Sequence, residues 1–168
     1  MKLHLGCGKD YRQGWTNVDA VSGIGCDVVH DLNVTPWPFA DGSATEVYMN
    51  QVLEHLVDVP KTLQEIYRVL QTGGFAVIQV PYLKTEAAFY DPTHLHFFTE
   101  RSLEFFRQGH PAAHYCGAGF TSITAELQTS KELARHRVRN LLLPRPVRLA
   151  LRFFVWNMFD GLKFTLVK

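Results

Sequence analysis

Two groups of residues in this 168-residue sequence have the types and spacing to do chemistry. The first is Gly6-Cys7-Gly8, Asp19 with Ala20 beside it, Asp31 with Leu32, and Asn50-Gln51. Residues without a Cβ let a chain turn sharply under a ligand. A carboxylate at Asp19 can accept both hydroxyls of a ribose, and one at Asp31 can accept the amino group of an adenine. The second group is Tyr90-Asp91-Pro92-Thr93-His94-Leu95-His96-Phe97-Phe98-Thr99. Two histidines, an acid and flanking aromatics can enclose a substrate and remove a proton from it. The ordinary histidine pKa of about 6.5 suits that task near neutrality. Asp91, His94 and His96 are therefore the candidate catalytic residues. Each feature taken singly also has a plain structural explanation: a strand-to-loop turn, a solvated acid at a strand end, or histidines that orient a loop over Phe97 and Phe98.

The elements that must position these groups alternate along the chain. Lys2–Leu5, Trp15–Asp19, Asp27–Asp31, Glu46–Asn50 and Phe75–Val80 read as strands, the last stopped by Pro81. Pro36–Ser43 contains two prolines and Asp41-Gly42 and reads as a loop. Asp58 can cap a helix in which Leu63, Ile66, Tyr67 and Leu70 form one apolar face, with Gly73-Gly74 as its stop. Thr99 can cap a short helix through Gln108. Gly119–Leu127 and Leu162–Val167 read as two strands that pair as a closing antiparallel hairpin. The pattern predicts a single α/β domain over 1–168 with a mostly parallel, Rossmann-like sheet. Ligands of such sheets bind at the carboxyl ends of the strands, which is where Gly6–Gly8, Asp19, Asp31 and Asn50 fall.

Several ordered motifs resemble one family. Leu5-Gly6-Cys7-Gly8, Asn17-Val18-Asp19, Asp31-Leu32, Pro38-Phe39-Ala40-Asp41-Gly42-Ser43, Val52-Leu53-Glu54-His55-Leu56 and Arg68–Gly74 are similar to the motifs of class I, type 11 methyltransferases. The likeness spans roughly residues 2–82. It implies S-adenosylmethionine as cofactor. Gly6, Cys7 and Gly8 would approach its amino-acid part, and Asp19 its ribose. Asp31 and the Leu32 backbone would read the adenine, and Asn50 and Gln51 would lie under the sulfonium end. His4 and Asp10 depart from the usual pattern. Only ten residues separate Gly8 from Asp19, so the first helix is expected to be short or missing. Gly14-Trp15-Thr16-Asn17-Val18-Asp19 resembles a compact subgroup with G-W-x-N-V-D at this place. A dinucleotide-binding GxGxxG would need glycine where Tyr11 stands. Some relatives hold a divalent cation through E-x-x-E-H. Gln51-Val52-Leu53-Glu54-His55 lacks the first glutamate, which leaves Glu54, His55 and His94 an incomplete set. No metal is expected, and Glu54 and His55 read as supports for the loop beneath the cofactor.

The implied activity is methyl transfer to a small-molecule, glycan or lipid-precursor acceptor. The competing expectation is a non-catalytic cofactor- or partner-binding module on the same fold. A net charge of +1 gives no sign of a nucleic-acid binder. The charge is uneven: Lys131, Arg135, Arg137, Arg139, Arg145, Arg148 and Arg152 face a single acid, Glu132, and the remainder of the chain carries about −5. Arg145, Arg148 and Arg152 would form a cationic stripe on one helix face. This basic, apolar insert at about 131–159 is expected to pack on the sheet, to touch an anionic membrane surface, or to join two copies of the chain. Its most apolar run, Leu149–Phe159, is too short to span a bilayer, which takes about 20 residues. Cys7, Cys26 and Cys116 form no CxxC pair, and no signal peptide is recognisable. Both features lead to the expectation of a cytoplasmic protein, with peripheral membrane contact through the insert as a further option.

Overall fold

A computed structural model describes residues 1–23, 25–111, 117–129, 144–151 and 156–168. Its strands are β1 (Lys2–Leu5), β2 (Thr16–Asp19), β3 (Val28–Val29), β4 (Ala44–Asn50), β5 (Leu70–Pro81), β6 (Ser122–Gln128) and β7 (Gly161–Val167). The helices are α1 (Val59–Val69), α2 (Ala87–Tyr90) and α3 (Arg145–Leu151). The seven strands form one sheet in the order β3-β2-β1-β4-β5-β7-β6. The first five are parallel, whereas β7 runs antiparallel to both β5 and β6. This is the expected Rossmann-like sheet with its closing hairpin.

Register explains the two faces. Leu3 pairs with Val47 and Leu5 with Met49, and the same side continues through Ala76, Ile78, Leu162, Phe164 and Leu166. All of these side chains are fully buried. They form one core with Val59, Leu63, Ile66 and Val69 of α1. The alternate side carries His4, Asn17, Tyr48 and Gln79. Such alternation is the period-two signature of a sheet with one apolar face. Asp58 caps α1 by accepting from the Lys61 amide at 2.9 Å.

No helix lies between β1 and β2 among the described residues; a loop over residues 9–15 takes its place. Asn17, fully buried, organises that loop. Its Oδ1 accepts from the Arg12 amide at 2.9 Å and contacts His4 Nδ1 at 3.1 Å. Its Nδ2 donates to the Arg12 and Trp15 carbonyls at 3.0 and 3.1 Å and to Asp27 at 2.9 Å. His4 thus has a structural partner: Asn17 satisfies one nitrogen, and burial lowers the His4 pKa. Arg12 lies 3.5 Å over the Tyr48 ring and closes the loop on the sheet.

Two expected boundaries are corrected. α1 ends at Val69, and Gly73-Gly74 lies inside β5. A Cβ on Gly74 would sit 3.0–3.2 Å from the carbonyls of Gln71, Thr45 and Ala44, so this glycine serves close strand approach. The expected helix from Thr99 through Gln108 is a single 3-10 turn at Glu104–Phe106. The Phe106 carbonyl and the Gln108 amide bond to Phe120 instead, at 2.9 and 2.8 Å, which removes them from any helical ladder. Of the basic insert, α3 carries Arg145, while Lys131, Arg135, Arg137, Arg139, Arg152 and the Arg148 side chain lie outside the described residues. None of the described helices is long and apolar enough to cross a membrane.

A clamp on α1 holds the loop before β4. Arg68 donates to Glu65 through Nε at 2.8 Å and Nη2 at 2.7 Å, and to the Phe39 carbonyl and Asp41 through Nη1 at 2.7 and 2.6 Å. Glu65 in turn accepts from the Trp37 amide at 2.6 Å, and Trp37 Nε1 donates to the Leu32 carbonyl at 3.0 Å. Arg68 therefore holds the Glu65 carboxyl below the usual carboxylate range. Arg68→Ala should lower unfolding stability by about 2–4 kcal/mol, because it strands a buried, multiply bonded carboxylate. Arg68→Lys should recover only part of this, since an ammonium cannot supply the planar fork. Denaturant titration of the three proteins checks the order.

Candidate active site

The carboxyl ends of β1, β2 and β4 surround a cleft of about 330 Å³. Gly6, Gly8, Asp19, Ala20, Asp31, Leu32 and Gln51, all expected in the site, line it. Two expected residues do not: Cys7 is buried, at 4% exposure, and Asn50 ends β4 outside the lining. The lining also includes His30, Asn33, Val52, His55 and Leu56. His55 and Leu56 belong to the Val52–Leu56 motif, so a sequence signal for them existed. Asn33 gave none; its role is to bond Asp31 Oδ1 through both its amide and its side chain, at 2.9 and 3.0 Å.

Glycine is required at the start of the cleft. Gly6 has φ +64, and a Cβ there would overlap the Val52 Cγ2 methyl and lie 2.8 Å from Cγ1. Gly8 has φ +51, and its amide donates to Asp19 Oδ2 at 2.8 Å. Asp19 Oδ1 accepts from the Val21 amide at 3.0 Å. An ionised carboxylate has about four acceptor sites, so Asp19 keeps capacity for two ligand hydroxyls. Gln51 has φ 55, rare for a residue with a side chain, and its amide donates to the Gln79 carbonyl at 2.8 Å. The cradle at Gly6, the acid at Asp19 and the apolar side chains of Leu32, Val52 and Leu56 suit an elongated nucleoside with a charged tail.

The segment after β5 folds back over the end of β4. Its base is closed by pairing of Tyr82 with Phe98 and by the Leu83 amide donating to the Phe98 carbonyl at 2.8 Å. Asn157 accepts from the Glu86 amide at 2.6 Å and fastens the outer side. The Glu54 carbonyl accepts from the amides of Leu95 and His96 at 2.8 and 3.2 Å. His94 consequently stands against His55, with ring centroids 4.7 Å apart. His55 lines the cleft and so joins the two parts of the site. Asp91, by contrast, is occupied within its own turn: Oδ1 accepts from the Thr93 amide and hydroxyl at 2.8 and 2.7 Å, which lowers its pKa. It shapes the loop. His96 Nε2 is buried with no partner.

Glu54 is fully buried, and neither carboxyl oxygen has a hydrogen-bond partner. One of its oxygens and one ring nitrogen from each of His55 and His94 lie within 4.8 Å of one another. Burial pushes the Glu54 carboxyl up to about 7. The unfolded acid ionises near 4.5, so the folded state binds the extra proton between those two pH values. Stability is then greatest at the acid end of that window and falls as pH rises through it. Glu54→Gln, neutral at every pH, should flatten this slope and be the more stable protein at pH 8, by up to about 3 kcal/mol. Thermal or urea unfolding of both proteins from pH 5 to 8 provides the comparison.

Residues 17–78 match a methyltransferase domain family. No curated protein matches the chain. Among solved structures, a SAM-dependent methyltransferase from Archaeoglobus fulgidus is 17% identical, with 98% of this chain and 85% of that one covered and a TM-score of 0.66. A SAM-dependent methyltransferase from Thermotoga maritima is 12% identical, with coverages of 99% and 81% and a TM-score of 0.64. Phosphoethanolamine N-methyltransferase 2 of Haemonchus contortus, solved with phosphomonomethylethanolamine and S-adenosylhomocysteine, is 18% identical; 99% of this chain covers 48% of that one, with a TM-score of 0.65. At these identities the structural likeness is one of fold.

Proposed function

We propose that the chain is a class I, S-adenosylmethionine-dependent methyltransferase of the type 11 kind, a reading supported by the domain match over residues 17–78 and by the fold, and that it methylates a small-molecule, glycan or lipid-precursor acceptor bound under the 82–98 segment. One observation carries this reading. The cleft that suits the nucleoside and the histidine loop meet at His55, which lines the cleft and stands against His94 of the loop.

S-adenosylmethionine supplies, when bound, a methyl group already activated on a sulfonium. The protein's residues have three tasks. Gly6 and Gly8 allow the backbone to pass beneath the amino-acid part of the cofactor, with Gln51 beside it. Asp19, with Ala20 next to it, accepts the ribose hydroxyls, while Asp31 and the Leu32 backbone meet the adenine. The Arg68–Glu65–Trp37 chain acts here indirectly, because Trp37 fixes the Leu32 carbonyl. Cys7 and Asn50 contribute through the backbone of the strand ends they occupy.

The second task is to position the acceptor and exclude water, which falls to the 82–98 segment. Phe89, half exposed, stacks on Phe97 at 4.6 Å and on Trp156 at 6.0 Å, and so gives the segment an apolar outer wall. The third task is removal of the acceptor's proton. His94 Nδ1 donates to the Ala88 carbonyl at 2.8 Å, so the bare nitrogen of the neutral ring is Nε2. That nitrogen takes the proton; His96 and Asp91 hold the loop that presents it.

Calorimetry tests the first task. S-adenosylmethionine or S-adenosylhomocysteine should bind one site per chain. Asp19→Ala should weaken binding by about 1–3 kcal/mol, the loss of charge-assisted hydrogen bonds. A folded Asp19→Ala protein with unchanged affinity would place the ribose elsewhere.

A further inference from the structure

We propose that Glu54, His55 and His94 form a Zn²⁺ site, which staples the 82–98 segment to the end of β4 and withdraws His94 from proton transfer while the metal is bound. The withdrawal rests on the reading of His94 as the proton acceptor; the site itself does not.

Three observations meet at this cluster. The first is the donor set. One Glu54 carboxyl oxygen and one ring nitrogen from each histidine lie within 4.8 Å of one another. The second is the state of the carboxyl. Glu54 is fully buried, and neither of its oxygens has a hydrogen-bond partner. A buried carboxylate left without donors is costly, and a cation held by it removes that cost. The third is what stands behind the rings. A histidine that binds a metal gives its other ring hydrogen to a carbonyl, a carboxylate or water. His94 Nδ1 faces the Ala88 carbonyl at 2.8 Å. A carbonyl only accepts, so Nδ1 carries the hydrogen and Nε2 keeps the free electron pair. His55 Nδ1 faces the Thr93 carbonyl at 3.3 Å and the Thr93 hydroxyl at 3.0 Å, and the hydroxyl's own hydrogen goes to Asp91 Oδ1 at 2.7 Å. His55 is therefore backed in the same way.

Ligand types and number select the metal. In sequence the set looks incomplete, because Gln51 stands where a second glutamate would. Coordination chemistry counts differently. Two histidines and one glutamate, with a fourth position open to water, are all that an accessible zinc ion takes from a protein. Imidazole nitrogens suit Zn²⁺, whereas Mg²⁺ and Ca²⁺ prefer oxygen. Tetrahedral bonds of about 2.0–2.2 Å hold ligand atoms roughly 3.3–3.6 Å apart, so the cluster tightens by up to about 1.5 Å on binding. Glu54 and His55 sit in the 3-10 turn Leu53–His55 directly after β4, and His94 comes from the segment that folds back over it. That segment already meets the turn through the Leu95 and His96 amides on the Glu54 carbonyl. Metal bonds would add a second, side-chain fastening at the same place. His55 lines the cleft and gives the ion an entry path. A coordinated Nε2 has no electron pair left for the acceptor's proton, so zinc acts on His94 as a brake.

The test titrates the full chain with ZnCl₂ by calorimetry, without cofactor. One Zn²⁺ should bind per chain, and Mg²⁺ at the same concentrations should not. His94→Ala and Glu54→Gln should abolish uptake. Thr93→Ala should weaken it by about 10-fold, the low end for losing a group behind a metal ligand, because the Thr93 carbonyl remains. Amide hydrogen exchange over residues 82–98 should slow when zinc is added to the wild type and stay unaltered in His94→Ala. Turnover of a methyl acceptor should fall on zinc loading and return with a chelator; a rise would overturn the brake. The site is overturned if no Zn²⁺ binds, if His94→Ala binds it as tightly as the wild type, if Mg²⁺ binds equally well, or if exchange in the wild-type segment is unaltered. Should Glu54→Gln fail to fold, His94→Ala, a change in a half-buried loop side chain, decides. S-adenosylhomocysteine binding is measured in parallel. Zinc uptake without it would sink the methyltransferase reading and leave the metal site; the converse result would leave the methyltransferase reading and sink the site.

Discussion

Gly6→Ala should cost the protein both stability and cofactor affinity, and more of each than any other glycine-to-alanine change at the cleft. Two separate penalties meet at this residue. A left-handed φ of +64 is costly for any side chain, by roughly 1–2 kcal/mol. The added Cβ also collides with both methyls of Val52. Valine is stiff about χ1, so Val52 cannot rotate away cheaply, and overpacking of this kind costs about 1–3 kcal/mol. Val52 lines the same cleft as Gly6. Whatever movement relieves the collision must therefore deform the cofactor site. Gly8→Ala separates the two penalties. Its φ of +51 is equally unfavourable, yet nothing lies within 4 Å of the Cβ it would gain. Gly8→Ala should show the conformational penalty alone. Adding Val52→Ala to Gly6→Ala should return the steric part, which a double-mutant cycle measures. Wild-type unfolding and S-adenosylhomocysteine affinity in Gly6→Ala would mean that the strand-end turn is not the cradle described.

The contrast between Gly6 and Gly8 was not legible in the sequence, which shows only that both are glycine. What was legible followed short-range rules. Leu3 and Leu5 announce a buried strand, and Asp58 before an apolar 3.6-residue period announces α1. Asp19 and Asp31 fall at strand ends, and both line the cleft. The misses are long-range. Gly73-Gly74 suits a helix stop, but packing against the carbonyls of Ala44 and Thr45, nearly thirty residues away, places it in a strand. Phe120 takes the backbone bonds that a helix after Thr99 would have used. His4 looked like a departure from the cofactor pattern; its partner Asn17 shows that this position serves the loop that stands in for a helix. Asn17 shows in the sequence only as part of a motif, yet its amide makes polar contacts with four residues, His4, Arg12, Trp15 and Asp27. His55 is the most instructive case. Its motif was visible, yet its place between the cleft and His94 depends on a loop nearly forty residues later folding back onto Glu54.

That fold-back sets the expectation for the histidines. His94→Ala should lower turnover by about 10²–10⁴-fold, the usual contribution of a positioned general base. Cofactor affinity should remain, because His94 does not line the cleft. The loss should be largest for an acceptor whose proton must leave before or during transfer, such as a hydroxyl, and smaller for an amine that reacts through its free pair. His96→Ala should act differently. His96 Nε2 is buried without a partner, so removing the ring relieves an unsatisfied group while leaving a cavity under the loop. Its effect on turnover should be modest and independent of pH. His94→Gln is the sharper variant, since it keeps a donor toward the Ala88 carbonyl but has no nitrogen to accept a proton. If it retains the loop's hydrogen-exchange protection yet loses turnover as completely as His94→Ala, the ring's basicity is what matters. If His94→Gln restores turnover, the ring only orients the segment, and alignment of acceptor and cofactor has to account for the rate. Single-turnover measurements of each variant across pH 6 to 9, with saturating cofactor, distinguish these outcomes.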